Sequence, residues 1–528
     1  MARLFLGLDS STQSLTGIVI DLDARKVVYE ASLNFDKTFP KYKTYNGTLR
    51  NSDPLVVHSP PLLWLDALDA LLLQMQQEGV ALGDVLAVAG SGQQHGSVYL
   101  NSQAKAVLAA LNPNRGLASQ LHDCFARPTA PIWMDSSTAV ECNEIRKALG
   151  GIAATARANG SDTFERFTGP QIRKFFKRQP DDYAETVSIG LVSSFMASVM
   201  AGKIAPIDYG DGAGMNLMDI RKKRWHPKAI KVTAPGLSAK LPPLAESWHV
   251  IGKVSPYFPK KYGLNPDALA VVWSGDNPCS LIGLGLREEG ALAISLGTSD
   301  TYFGYMRKLH TDDRGEGHVF GAPTGDYMTL ICFKNGSLAR ERIRDMYSLD
   351  WDGFNRALES TKPGNKGALM LPWFEPEIVP RVIRPGLRRI NLDDRDAPAN
   401  CRAIVEAQMM SMRLHSGWMK IKPKRVIATG GGSVNTTILQ VMADVMNCPV
   451  YRLEVSKSAA LGAALRAAHA YLKHNKQPAK WPDVMAKFTD PIPGSEVKPN
   501  KKAVAVYNKL IKTFAKHEQA ALKEQASR

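Results

Sequence analysis

The sequence predicts an α/β protein with two related halves. Short apolar strands flank small polar turns near the start of the chain and again past its midpoint, and helical stretches fill the segments between them. The length of 528 residues corresponds to roughly two to four domains of about 150 residues each. With 44% hydrophobic and 22% charged residues, the composition excludes collagen, a coiled-coil rod and wholesale disorder.

One hairpin pattern, used twice, indicates the two halves. Its strands and turns are predicted at 4–8, 9–14 and 15–20 in the first copy, and at 290–296, 297–300 and 301–305 in the second. Because the pattern recurs, we expect two lobes that face a shared site. The predicted domains are residues 1–286 and 287–528.

The remaining elements follow from apolar periodicity. Helical spacing of apolar residues predicts four helices, at Pro61–Gln77, Cys401–Trp418, Thr437–Met446 and Ser456–His474. Apolar strands that end at glycine turns are predicted at Val85–Ala89, Leu269–Val272 and Val426–Ala428.

The net charge bears on which partners the protein can bind, and the cysteines bear on the compartment in which it works. The net charge is +16, but the basic clusters at 221–224, 420–425 and 498–502 are short, separate and not interleaved with aromatic residues. We therefore expect a solvated basic surface, no nucleic-acid partner, and compatibility with anionic substrates. Six cysteines without a C-x-x-C pair predict free thiols. No leader or apolar run of about 18 residues is visible, so a cytoplasmic protein without a membrane contact is expected.

The hydroxyl-rich turns are candidate phosphate sites. Backbone N–H groups and the hydroxyls of Ser11, Thr12 and Thr298 converge there, which suits phosphate oxygens. Asp9 adds a carboxylate that suits Mg²⁺ on a nucleotide. Ser/Thr-rich turns are also common structural features. Neither the P-loop nor the protein-kinase glycine signature is present.

A glycine-rich turn at 429–435 follows a strand and precedes a helix. Gly431 and Gly432 leave room for a base or ribose to approach the backbone. Asn435 either contacts a nucleotide or caps the helix. Trp351 either offers an exposed platform for a base or packs half-buried.

Asp276 lies in Ser-Gly-Asp-Asn-Pro, between an apolar strand and a helix that Pro278 opens. One interpretation is an N-cap. The other is a general base aimed from the carboxyl end of a strand, with Asn277 beside it.

Three further polar residues have two interpretations each. His95 lies in 90–96 with Gln93 and Gln94, where it is either structural or reaches a polyhydroxy substrate. Arg166 lies among aromatic residues and either binds substrate or forms a surface salt bridge. Asp135 either lines the site or caps the residues that follow it.

Together and in this order, these motifs resemble the FGGY carbohydrate kinases over nearly the whole chain. They are the Asp9 hairpin, Gly92–Gly96, Trp133–Asp135, Glu165–Gly169, Gly275–Pro278, Ser295–Ser299 and Thr429–Asn435. The Gly-Gln-Gln-His-Gly element resembles the pentulose-kinase branch of the family. Two positions depart from the pattern of many relatives, with Val434 in place of a basic residue and Ser137 in place of an arginine.

The resemblance implies two ribonuclease-H-like (actin-like ATPase) lobes with a central cleft, a sugar on the N-terminal lobe, and ATP with Mg²⁺ on the C-terminal lobe. It also implies roles for the candidate residues. Asp276 takes the proton of the sugar hydroxyl, and the sugar is held by His95, Arg166 and Asn277. The nucleotide is held by Thr298, Trp351, Gly431, Gly432 and Asn435.

The implied activity is transfer of the γ-phosphate of ATP to the 5-hydroxyl of D-xylulose by a monomer or homodimer. Two alternatives stay open. One is a kinase for another ketose or polyol, such as D-ribulose. The other is a non-kinase actin-like ATPase or binding protein, which leaves His95, Arg166 and the Gly-Asp-Asn-Pro turn without a purpose.

Overall fold

The structure is a computed structural model that describes residues 2–453 and 457–526. The described residues form two compact units. The first unit comprises Met1–Arg287, Val319–Met328 and Val455–Asp490, and the second comprises Glu288–His318, Thr329–Glu454 and Pro491–Arg528. The first unit thus includes two segments that follow residue 287 in the chain. Ser456, the predicted first residue of one helix, lies outside the described residues.

The strands alternate with helices along the described chain. The strands are β1 Leu4–Ser10, β2 Ser14–Asp21, β3 Lys26–Asn34, β4 His58–Ser59, β5 Val85–Gly92, β6 Ser97–Leu100, β7 Ala130–Pro131, β8 Ser188–Leu191, β9 Ile207–Asp208, β10 Met218–Asp219, β11 Arg224–Trp225, β12 Leu244–Ala245, β13 Val250–Lys253, β14 Leu269–Val271, β15 Ser274–Gly275, β16 Ala291–Leu296, β17 Asp300–Met306, β18 His318–Gly321, β19 Tyr327–Phe333, β20 Leu369–Trp373, β21 Gly386–Ile390, β22 Arg425–Thr429 and β23 Val450–Arg452.

The helices are α1 Phe35–Thr38, α2 Pro61–Gln77, α3 Ala104–Ala109, α4 Leu117–Leu121, α5 Ala139–Leu149, α6 Ile152–Asn159, α7 Thr168–Arg178, α8 Pro180–Glu185, α9 Val192–Ala201, α10 Tyr209–Ala213, α11 Pro227–Thr233, α12 Leu237–Lys240, α13 Tyr257–Tyr262, α14 Asp276–Gly283, α15 Ser337–Met346, α16 Trp351–Glu359, α17 Ala397–His415, α18 Thr436–Met446, α19 Ser458–His474, α20 Trp481–Met485 and α21 Lys501–Ala526.

Two large sheets repeat one topology, which confirms the predicted α/β fold with two related lobes. In the first sheet, β1 pairs antiparallel with β2 and parallel with β5, and the order is β13-β14-β5-β1-β2-β3 with β15 also on β5. In the second, β16 pairs antiparallel with β17 and parallel with β22, and the order is β18-β19-β17-β16-β22-β23.

The predicted elements are present, with shifted ends. β1 continues through Ser10, so Asp9 belongs to the strand, where it pairs with Thr16, and the turn shortens to residues 11–13. α17 begins before the predicted Cys401 because Asp396 caps it and Pro398 occupies its first turn. α2 has the predicted bounds Pro61–Gln77.

Glycines set the packing of α19 in the first unit. A Cβ on Gly7 of β1 would lie 2.3 Å from the carbonyl oxygen of Ala460, so the strand and the helix touch backbone to backbone. A Cβ on Gly462 would lie 1.8 Å from the carbonyl oxygen of Cys279, and one on Gly283 would lie 1.9 Å from that of Ser458. α14 and α19 therefore pack at a distance that only glycine permits.

We expect Gly462→Ala to destabilise the protein by about 1–3 kcal/mol, because the methyl group collides with backbone that cannot rotate away. Turnover should fall as well, since α14 carries Asp276. The measurements are thermal unfolding and turnover. Gly83→Ala is the matched control, because its Cβ meets only the carbonyl oxygen of Gly263 at 3.6 Å. Equal stability of the two variants would contradict this packing argument.

The cysteines and the helices bear on two features of the chain considered from its sequence. All six cysteines are free in the structure. Within residues 2–453 and 457–526, no helix combines the length and apolar character that crossing a bilayer requires.

Candidate active site

A cavity of about 310 Å³ opens in the first unit where the β1–β2 hairpin meets the first turns of α14 and α19. Its walls are almost entirely polar. They are formed by Asp9, Ser11, Ser14, Thr16, Asp276, Asn277, Ser280, Lys457, Ser458 and Ala459.

The sheet explains why Asp9 and Asp276 meet there. β1 and β15 both run parallel to β5, with Asp9 opposite Ser91 and Gly275 opposite Gly92. The carboxyl ends of parallel strands share one edge of a sheet, and such edges hold ligands in open α/β folds. Because α14 and α19 are in close contact, the first residues of α19 lie at the same edge of the sheet.

Asp276 has one carboxylate oxygen in use and one available. Its Oδ1 accepts hydrogen bonds from the backbone N–H of Asn277 (2.8 Å), the side-chain Nδ2 of Asn277 (3.0 Å) and the backbone N–H of Gln94 (3.4 Å). Among the described residues, none donates a hydrogen bond to Oδ2. Burial raises the pKa of Asp276 to about 6. The geometry suits a proton acceptor that works near neutral pH.

Asp9 is the second carboxylate of the cavity. Ser91 Oγ donates to Asp9 Oδ1 at 2.6 Å. The pKa of Asp9 is raised to about 7, mainly by burial and also by the charge of Asp276, whereas the hydrogen bond from Ser91 and the charge of Lys457 lower it. The negative charge of Asp276 therefore acts on Asp9, and two carboxylates on one cavity favour the binding of a cation there.

The residues fit a Mg²⁺ ion that arrives with phosphate ligands. Among the described residues, no group of three or more His, Cys, Asp or Glu side chains forms a ready-made metal site. Mg²⁺ usually takes one or two carboxylates and fills its octahedron with phosphate oxygens and water. Asp9 provides such a carboxylate beside the cavity.

The two hydroxyls predicted in the first turn occupy different surroundings. Ser11 lines the cavity, and its Oγ hydrogen-bonds the carbonyl oxygen of Ser14 at 2.9 Å. Thr12 Oγ1 donates to Gln93 Oε1 at 3.2 Å and accepts from Trp133 Nε1 at 2.8 Å. The hydroxyl of Thr12 thus links the hairpin to the 90–96 turn.

His95 is buried in a strained backbone conformation. Its φ is +103°, a region that non-glycine residues rarely occupy and that often marks functional sites. Its Nδ1 lies 2.9 Å from the carbonyl oxygen of Gly214 and must donate, which leaves Nε2 as an acceptor. Burial, with the charge of Arg166, holds the pKa of His95 well below its usual value, so the ring is neutral.

Arg166 lies close to His95, although the two are far apart in the sequence. Its guanidinium carbon is 5.0 Å from the ring centre of Phe164 and 5.5 Å from that of Phe167. Phe167 in turn packs on His95 with a centroid distance of 4.4 Å. The aromatic rings hold the guanidinium beside the imidazole.

Buried polar groups between His95 and Asp276 were not predicted as site residues. Asn277 Nδ2 donates to Gln94 Oε1 at 2.9 Å. Gln93 Nε2 is buried without a hydrogen-bond partner in the described structure, and Gln94 Nε2 and Asp211 Oδ1 are buried with no partner of good hydrogen-bond geometry, although the two side chains interact with each other. Burial raises the pKa of Asp211 well above its usual value. Orphaned buried polar groups are rare, and a polyhydroxy ligand would satisfy them. The turn-rich sequence 208–214 was the available signal.

Asp135, one of the open cases in the sequence, serves the local fold. Its Oδ1 accepts from Ser137 N (3.0 Å) and Gln171 Nε2 (2.7 Å), and its Oδ2 accepts from Val57 N (3.0 Å). Because both oxygens are engaged and the residue is buried, Asp135 organises its loop.

In the second unit, a buried ion pair supports the turn that carries Thr298. Thr298 itself is exposed between β16 and β17. Arg340 donates to both oxygens of Asp300 at 2.8 and 3.0 Å, and both side chains are only 1% exposed. Arg340 also donates to Gln408 at 2.7 Å. These contacts hold the side chain of Asp300, the first residue of β17 after the turn.

The second unit also brings the predicted nucleoside residues together. Asn435 caps α18, accepting from the N–H groups of Thr437 and Ile438, while its Nδ2 donates to Asn355 Oδ1 at 2.6 Å. Asn355 belongs to α16, which begins at Trp351.

The backbone of the glycine turn at 429–435 and the side chain of Trp351 are both accessible to solvent. A Cβ on Gly431 would meet nothing within 4 Å, so this backbone faces open space. A Cβ on Gly432 would lie 2.9 Å from the side chain of Leu296. Trp351 is 38% exposed and packs against Arg344, whose guanidinium carbon is 4.7 Å from its ring centre.

Two sheets of similar topology, each begun by a β-hairpin, define the α/β architecture, and the first sheet carries a carboxylate-lined cavity at its edge. The N-terminal-domain model of the FGGY family of carbohydrate kinases matches residues 4–283, and the C-terminal-domain model matches residues 292–471. The chain belongs to the FGGY family of carbohydrate kinases.

Relatives in animals and plants match over most of their length. A Rattus norvegicus protein named xylulose kinase is 42% identical over 531 residues, covering 98% of this chain and 97% of that protein. Xylulose kinase 2 of Arabidopsis thaliana is 43% identical over 495 residues, covering 90% and 88%. The crystal structure of xylulose kinase from Rhodospirillum rubrum aligns with a TM-score of 0.84 at 18% identity, covering 99% of this chain and 100% of that one, and supports the fold.

Proposed function

We propose that this protein transfers the γ-phosphate of ATP to the 5-hydroxyl of D-xylulose, giving D-xylulose 5-phosphate and ADP. The names of relatives that are 42% and 43% identical support the substrate. The observation that carries the chemistry is Asp276, whose Oδ1 is held by three hydrogen bonds while its Oδ2 is left for a substrate hydroxyl.

In this proposal the sugar binds the first unit. Asp276 Oδ2 accepts the proton of the attacking 5-hydroxyl, while Asn277 and Gln94 fix its orientation. The Nε2 atom of the neutral His95 accepts a hydrogen bond from a sugar hydroxyl, and Arg166 donates hydrogen bonds to sugar oxygens beside it. These contacts decide which hydroxyl points at phosphorus.

The residues that the sequence proposes for the nucleotide come from both halves of the chain. Gly431, Gly432 and Asn435 hold the nucleoside with Trp351 beside it, and Thr298, Ser11 and Thr12 face the phosphates. The domain roles follow, with a sugar-binding domain at 1–286 and a nucleotide-binding domain at 287–528. Two of these residues also stabilise the local fold, because Asn435 caps α18 and Thr12 Oγ1 accepts a hydrogen bond from Trp133 Nε1.

Asp9 is the residue that would hold Mg²⁺, directly or through water. When bound, the ion neutralises charge on the phosphate oxygens. Ser91 holds one carboxylate oxygen of Asp9, which lines the cavity, and the other oxygen receives no hydrogen bond from the described residues. A cytoplasmic location is part of the proposal and rests on the unpaired cysteines.

Sugar binding without nucleotide tests the proposal against the actin-like ATPase alternative. A ligand that binds only the native state stabilises it by about 2.7 kcal/mol at 100 times its dissociation constant. We expect free D-xylulose to raise the melting temperature, with D-glucose as the control sugar. Stabilisation by ATP alone, with no response to any ketose or polyol, would contradict the proposal.

The acid limb of the pH profile is a further prediction. A base must be deprotonated, and the pKa of Asp276 is about 6, so kcat/KM for the sugar should fall as the pH drops through about 6. Asp9, with a pKa of about 7, titrates beside it and broadens the limb. Circular dichroism at each pH checks that the fold persists. A kcat/KM that stays flat through pH 6 would exclude Asp276 as the base.

A further inference from the structure

Lys457 lies on the wall of the cavity that contains Asp9 and Asp276. It immediately precedes α19, and its carbonyl oxygen accepts from the N–H of Leu461 at 3.0 Å in the first turn. Among the described residues that line the cavity, it is the cation, whereas Asp9 and Asp276 are the anions.

The position of Lys457 is set by the rigid contact between α14 and α19. Gly283 meets the backbone of Ser458, and Gly462 meets the backbone of Cys279. Ser458 Oγ also hydrogen-bonds Ser280 Oγ at 3.1 Å. Asp276 begins α14 and Lys457 precedes α19, so the two residues are held on one cavity by the same helix pair.

The charge balance of the cavity calls for a cation. The hairpin supplies Ser11, Ser14 and Thr16 to its wall, which are hydroxyl donors without charge. The negative phosphates of a nucleoside triphosphate beside Asp9 and Asp276 would be repelled by the two carboxylates. Such repulsion is strong in a partly desolvated site. Lys457 lines the same cavity as Asp9 and Asp276, so its ammonium group is placed to offset this repulsion.

We propose that Lys457 binds the phosphoryl group during its transfer and offsets the charge on its oxygens. This role rests on the proposed function. The bond from phosphorus to the oxygen that leaves with ADP breaks, the bond from phosphorus to the sugar 5-oxygen forms, and the hydroxyl proton passes to Asp276. The ammonium group of Lys457 donates hydrogen bonds to the phosphoryl oxygens throughout, and it neither gains nor loses a proton.

The test uses Lys457→Met, which keeps the length of the side chain but removes the charge, Lys457→Arg, which keeps the charge, and Lys105→Met as the control. Lys105 is exposed on α3 in the same unit. We expect Lys457→Met to lower kcat by about 10²-fold, the loss typical of one donor to a transition-state oxyanion. Lys457→Arg should restore most of the turnover, and Lys105→Met should match the wild type.

Binding measurements separate a phosphate contact from a structural role. In Lys457→Met, calorimetry should show weaker binding of ATP but unchanged binding of adenosine and unchanged stabilisation by D-xylulose. Wild-type turnover in Lys457→Met would overturn the inference. Equal losses for ATP, adenosine and sugar would also overturn it, because they indicate a damaged fold. A wild-type protein without sugar-dependent ADP formation would instead refute the proposed function.

Discussion

Asp276→Asn is expected to lower sugar-dependent turnover by about 10²–10⁴-fold, the contribution typical of a general base. Asparagine has nearly the same shape, and its amide oxygen still accepts the hydrogen bonds that reach Oδ1 from Asn277 and Gln94. The amide nitrogen that replaces Oδ2 cannot accept a proton. The loss should therefore appear in kcat, while the fold and ATP affinity are retained.

The measurement is steady-state turnover with D-xylulose, together with calorimetric binding of ATP and thermal unfolding. Asp267→Asn is the matched control, because its carboxylate is exposed and makes only a surface ion pair with Lys253. A variant Asp276→Asn that kept a turnover within a few-fold of this control would show that another group accepts the proton.

Arg340→Met should destabilise the second unit by about 3–5 kcal/mol, the usual result when one member of a buried ion pair is removed. Arg340 and Asp300 are each 1% exposed, and their bidentate contact is completed by Gln408. Without the guanidinium, the carboxylate of Asp300 stays buried and unpaired at the base of the turn that carries Thr298.

Chemical denaturation measures this effect, with Arg342→Met as the control. Arg342 lies two residues further along the same helix and forms an exposed ion pair with Glu375, so its loss should cost under about 1 kcal/mol. Adding Asp300→Asn to Arg340→Met should recover part of the loss, because the unpaired charge disappears. Equal losses for the two single variants would contradict the buried-pair argument.

Local pattern was sufficient to predict the two hairpins, since alternating apolar runs and polar turns are properties of a few neighbouring residues. It did not predict that α19 packs with the first sheet. Periodicity identifies a helix but not its partner, and the partner here is chosen by close backbone contacts at Gly7, Gly283 and Gly462. Such contacts depend on residues that are hundreds of positions apart.

The candidate site divides in the same way. Asp276 and His95 were predicted because each follows a strand within a distinctive turn, and the structure brings both to one unit. Asp211 was missed although it lies in the turn-rich sequence 208–214, because that sequence does not show what the carboxylate faces. Lys457 was missed because only the folded structure identifies it. Lys457 precedes an ordinary alanine-rich helix in the sequence, and only the pairing of α14 with α19 reveals that it lines the same cavity as Asp276.

The most direct test of the central claim is an ADP-coupled assay with ATP and Mg²⁺ over a panel of ketopentoses, ketohexoses and polyols, including D-ribulose. The account predicts ADP formation that depends on the sugar and is fastest with D-xylulose, with a 5-phosphate as the product. Faster turnover of another sugar would contradict the proposed substrate. The absence of sugar-dependent ADP with every member of the panel would contradict the proposed kinase activity itself.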